Sequence, residues 1–82
     1  MPTVLRLEGY MVMIYLHDHH PAHVHVSARG CELVVNLNRS PAYVSVRNNN
    51  GFKTPEIANI LRLVQRHRDV LCEMWKGIHG DI

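Results

Sequence analysis

An α+β fold is what this sequence predicts: a curled antiparallel sheet of four to five strands packed on a C-terminal kinked helix or helical hairpin. Three observations carry it. Apolar and polar residues alternate through residues 3–47, broken by glycine turns. From Ile57 to Ile78 the apolar residues instead recur at helical spacing. The chain has 82 residues, 46% of them apolar, which suits one small folded domain, 1–82. Strands then occupy 3–47 and the helical part 54–79.

The first strand spans 3–8, where Leu5 and Leu7 alternate with Val4, Arg6 and Glu8. Glu8-Gly9 is a tight turn, and Tyr10 to Leu16 returns as the second strand. Met11, Met13 and Tyr15 share one face of it; Val12, Ile14 and Leu16 share the other. A histidine loop follows, stiffened by Pro21. His23 to Ala28 is the third strand, Arg29-Gly30 a turn, and Cys31 to Leu37 the fourth strand. Asn38-Arg39-Ser40-Pro41 ends it. Ala42 to Arg47 is a short fifth strand, and Asn48-Asn49-Asn50-Gly51 is a loop.

A helix begins at Thr54-Pro55-Glu56, with Thr54 as N-cap and Pro55 at the first helical position. Its apolar stripe is Ile57, Ile60, Leu61, Val64, Leu71, Met74, Trp75 and Ile78. A straight helix over 55–79 would be about 35–40 Å long, too long for this domain. A break is therefore expected near His67–Asp69, with Asp69 as a second N-cap and Gly77 and Gly80 ending the helix.

Composition bounds the function only loosely. A net charge of +2 permits contact with nucleic acid without demanding it. Cys31 and Cys72 read as free thiols rather than a disulfide scaffold. No apolar run reaches the about 20 residues that span a bilayer, and the start lacks a signal-peptide pattern. Cytoplasmic location is the expectation. A domain this small gains stability by dimerising, so a homodimer or a partner protein is expected as well.

The chemistry concentrates in His17-Asp18-His19-His20-Pro21-Ala22-His23-Val24-His25-Val26, which holds five of the seven histidines. Imidazole titrates near neutrality and is the commonest metal ligand. His23 and His25 share one strand face, about 6.5–7 Å apart along the strand. His19, returning from the loop, supplies a third ligand. Asp18 is either a fourth ligand or a partner for a ring N–H. Three protein ligands plus water is the pattern of catalytic zinc, although nickel and copper also suit imidazole. Equally, such a pair can be a half-buried polar face bonded to backbone.

A metal-free alternative makes His23 and His25 general base and acid in phosphodiester cleavage. Arg62, Arg66 and Arg68 would then hold phosphate oxygens, or simply form a solvated helix face. Trp75, on the apolar stripe, reads as core.

The start Met1-Pro2-Thr3, the run Asp18-His19-His20-Pro21-Ala22-His23-Val24-His25 and the ending Arg66-His67-Arg68-Asp69 with Trp75 resemble the bacterial family catalogued as domain of unknown function 4160. The resemblance covers nearly the whole chain. Its histidines fall on His19, His23 and His25, while His17 and His20 stand at variable positions. Two departures are Ala22, where the family has a second proline, and a longer segment from Asn38 to Phe52. The family brings no assigned reaction. Its gene neighbourhood, beside a small family numbered 2442, implies a toxin–antitoxin-type component working with a cognate small partner. The rival expectation is a regulator that binds DNA or protein, with structural histidines.

Overall fold

The computed structural model describes residues 3–38 and 43–80. Five strands form one open sheet: β1 (Thr3–Leu7), β2 (Tyr10–Ile14), β3 (His23–Ala28), β4 (Cys31–Leu37) and β5 (Val44–Asn50). Their spatial order is their chain order, and every neighbouring pair is antiparallel. Two helices follow, α1 (Thr54–Arg66) and α2 (Arg68–His79).

Two-residue turns set the register of the β1–β2 and β3–β4 hairpins. Glu8-Gly9 and Arg29-Gly30 both have positive φ at both positions, the geometry that matches strand twist. Glycine takes the second position in each, where a side chain would be strained. Register then aligns Val12, Val26 and Leu33 across three strands, with Val24 opposite Val35. These residues form one buried face with Ile14 and Leu37. The helices cover that face with Ile60, Val64, Leu71, Cys72 and Trp75. An amphipathic helix pair and a one-sided sheet thus satisfy each other.

Several boundaries differ from expectation. The second strand stops at Ile14 rather than Leu16, because the chain turns to bring Asp18 back to Tyr15. Asn48–Asn50 is strand, not loop: these residues pair with Val34, Leu33 and Glu32 of β4. An existing ladder partner outweighs the weak strand preference of asparagine. The turn comes later, where the Asn49 side chain accepts from the Phe52 N–H and donates to the Phe52 carbonyl. The expected start of the fifth strand, Ala42, lies outside the described residues.

The N-cap of α1 is Lys53, not Thr54, and Pro55 is the second helical residue. Lys53 is still extended while its carbonyl already accepts the Ile57 N–H at 3.0 Å. The break between the helices falls at His67, as expected. His67 has φ −104° and ψ 15°, and its ring Nδ1–H donates to the Leu63 carbonyl at 3.0 Å. Asp69 lies in the first turn of α2 rather than capping it, and Gly77 lies within α2. Gly80 ends that helix, its N–H bonded to the Lys76 carbonyl.

One polar cluster ties the hairpin turns to α1. The Tyr10 hydroxyl donates to Glu56 at 2.6 Å, and Arg29 pairs with the same carboxylate. The Tyr10 and Arg29 bonds hold Glu56 below its ordinary 4.5. The bond to Glu56, then burial, pushes Tyr10 above 10.0. Stability from Glu56 is therefore complete above 4.5 and lost as pH falls through its lower folded value. Stability from Tyr10 is complete below 10.0 and lost as pH rises past it. Denaturant midpoints should accordingly separate wild type from Tyr10→Phe near pH 7, with the gap narrowing at about pH 3. A gap that stays constant would show that the carboxylate is not the partner that matters.

Candidate functional site

Strand alternation builds the site from β3. Val24 and Val26 point into the core, so His23 and His25 project from the opposite face. Their rings lie 5.1 Å apart, edge to face, and His23 is only 5% exposed. The turn after β2 brings the third group. The Asp18 N–H bonds the Tyr15 carbonyl at 3.1 Å, and the Asp18 carboxylate accepts the Tyr15 N–H at 2.9 Å. That reciprocal pair aims the carboxylate at the two imidazoles.

Asp18 meets His25 Nε2 at 3.1 and 3.2 Å through its two oxygens. It lies 3.4 Å from His23 Nε2. Burial alone would raise the Asp18 carboxyl, but the Tyr15 N–H and the neighbouring His25 and His23 outweigh it, and the net direction is below 3.8. An ionised carboxylate only accepts, so the His25 proton sits on Nε2. His25 Nδ1 is then buried with no hydrogen bond, and Glu32 stands 3.7 Å away.

The other side of His23 is equally defined. Its Nδ1 lies 2.9 Å from the Pro21 carbonyl and 3.1 Å from Arg47 Nη1. Arg47 also donates from Nη2 to the Pro21 carbonyl at 3.2 Å and from Nε to Asn36 at 2.9 Å. Arg47 owes this position to a β-bulge. Val35 pairs with Val46 and Val34 with Asn48, leaving Arg47 as the extra residue. Bulges commonly re-aim a side chain in this way.

Behind the loop stands Trp75, fully buried on α2. Its ring packs on His79 at 4.3 Å and on His20 and His23 at 5.4 Å each. The His79 Nε2–H donates to the Tyr15 carbonyl at 2.9 Å, joining the end of α2 to the start of the loop.

Not every expected site residue converges. Asp18, His23 and His25 each offer a ligand atom, and these lie within 4.8 Å of one another. His19 is exposed and outside that group, so the arm expected from it comes from Asp18 instead. The Tyr15 turn explains this, because it fixes residue 18 inward. The three arginines also separate. Arg62 contacts Asn59 and Arg66 lies 3.8 Å from Glu8, both on the exposed side of α1. Arg68 instead folds inward and donates to the Asn38 carbonyl at 2.7 Å. Arg47, Glu32 and Asn36 carried no sequence signal as site residues, since their place depends on strand register. Cys31 and Cys72 are both free, and burial pushes the Cys72 thiol up.

The described residues include no helix long and apolar enough to cross a membrane. Comparison with curated proteins and with solved structures returns no match. The family described as "Domain of unknown function (DUF4160)" matches residues 9–76, which hold β2 to β5, α1 and most of α2. The chain therefore belongs to the domain of unknown function family 4160.

Proposed function

We propose that Asp18, His23 and His25 hold a divalent transition metal, with zinc the first candidate. The observation that carries this reading is the convergence of three ligand atoms within 4.8 Å. A tetrahedral ion with bonds of about 2.1 Å needs donor atoms about 3.4 Å apart. The separations of 3.1 and 3.4 Å from Asp18 to the two histidines lie near that value, and all three ligand atoms fall within 4.8 Å of one another. The surroundings support it too. A metal-bound imidazole turns its other N–H to a carbonyl or carboxylate. Here His23 Nδ1 faces the Pro21 carbonyl, and the otherwise unbonded His25 Nδ1 faces Glu32.

Three protein ligands leave a fourth position for water, which a zinc ion makes acidic enough to ionise near neutrality. This arrangement suits metal-assisted hydrolysis. It fits the geometry better than a division of acid and base between His23 and His25, because both Nε2 atoms face the same carboxylate.

Chelator-treated protein titrated with Co(II) or Zn(II) tests the site. One ion per chain should bind, with His25→Ala abolishing it; equal binding by both proteins overturns the assignment. The toxin–antitoxin-type role is a separate proposal. It predicts that overexpressing wild type slows growth and degrades RNA while His25→Ala does neither.

A further inference from the structure

We propose that two copies of this chain pair antiparallel through β1, Thr3–Leu7, about a two-fold axis at Leu5, joining their five-stranded sheets into one. The proposal is independent of the metal reading.

The backbone supplies the first argument. Among the described residues β1 pairs with β2 alone, through an unbroken register from Thr3↔Ile14 to Leu7↔Tyr10. Leu7 and Tyr10 close a two-residue turn, so they exchange both of their hydrogen bonds. Alternation then directs the groups of Leu5 and Thr3 to β2 as well. It turns the N–H and C=O of Val4 and Arg6 away from β2, where a further strand would bond them. β5, on the far side of the sheet, lacks such an even run because its bulge falls at Arg47.

The apolar layer is incomplete along the same edge. α1 packs chiefly on β5 and α2 on β4. At that end Val44 and Phe52 are buried. At the opposite end Leu5 and Leu7 share the core face, since they pair with Val12 and Tyr10, yet both stay only partly buried. A strand laid along β1 would carry the apolar face past them.

The occupant that fits is a second copy. An axis normal to the sheet keeps the helices of both copies on one side. With that axis at Leu5, Leu5 meets the partner's Leu5 on the core face, where apolar cross-strand pairs stabilise a sheet. Arg6 falls opposite the partner's Val4, so the outward backbone groups of these residues satisfy each other. An axis at Arg6 would instead set two guanidinium groups directly opposite, which is unfavourable. The edge is thus complementary to itself in one register.

Sedimentation velocity of the full chain, in the micromolar to millimolar range, tests the edge together with amide hydrogen exchange. Wild type should be a concentration-dependent dimer. Its Arg6 amide should exchange at least about tenfold more slowly in the dimer than after dilution to monomer, while amides along β5 keep their rates. Arg6→Pro deletes an outward N–H and leaves the bonds to β2, as proline can at a sheet edge. That variant should stay folded by circular dichroism and be monomeric at every concentration. A wild type that is monomeric throughout overturns the proposal. So does a dimer whose Arg6 amide exchanges freely, or one that Arg6→Pro leaves intact, because its contact then lies elsewhere. If Arg6→Pro fails to fold, the wild-type exchange of the Arg6 amide decides alone.

Discussion

Trp75→Ala is expected to cost about 3–5 kcal/mol of stability, the range for removing a large aromatic from a packed core. Trp75 has no exposed surface, and its ring contacts the imidazoles of His20, His23 and His79. A small domain has about 5–15 kcal/mol in total, so much of the variant population would be unfolded. The loss also removes the wall behind His23, because the Trp75 ring is one of the surfaces that bury it. Urea denaturation should show a large fall in midpoint with little change in slope. Trp75→Phe should recover part of the loss. A Trp75→Ala midpoint close to wild type would mean that the end of α2 does not pack on the sheet as described.

Asp18→Ala should have the second largest effect, and it acts on two levels. The carboxylate accepts from the Tyr15 N–H and the His25 Nε2–H, and it faces His23 Nε2. Each buried donor left without an acceptor costs about 1–3 kcal/mol. Metal affinity should fall by more than the about 10–100-fold typical of residues that only support a ligand. Asp18→Asn keeps an acceptor for Tyr15 but loses the charge, so it should retain more stability than metal affinity. The sign of the pH dependence is fixed. Asp18 lies below 3.8 in the folded chain, so its contribution is complete above 3.8 and is lost as pH falls. The Asp18→Asn protein should lack that part of the acid response. Equal metal affinity in wild type and Asp18→Ala would remove Asp18 from the ligand set.

The parts of the fold legible in the sequence were those set by local rules. Glu8-Gly9 and Arg29-Gly30 mark their turns, alternation separates Val24 and Val26 from His23 and His25, and the interrupted stripe places the break at His67. Features governed by pairing were not legible. Asn48–Asn50 read as loop because the partner strand β4 is invisible to a local pattern. The same pairing puts Arg47 beside His23, although 24 residues separate them. Asp18 and His19 are adjacent in sequence, and only the turn back to Tyr15 decides which of them faces the strand. The cap of α1 shifted by a single residue, because Lys53 supplies the first helical carbonyl without a side-chain bond.

The bulge in β5 has a bearing on solubility as well as on chemistry. β5 is an outer strand, and a flat outer strand offers unpaired backbone groups on which another chain can grow. The extra residue, Arg47, kinks this edge and breaks its even spacing, while three exposed asparagines follow it. A second chain adding there would meet a misaligned, polar border, so the device that steers Arg47 to His23 also guards this side of the sheet against aggregation.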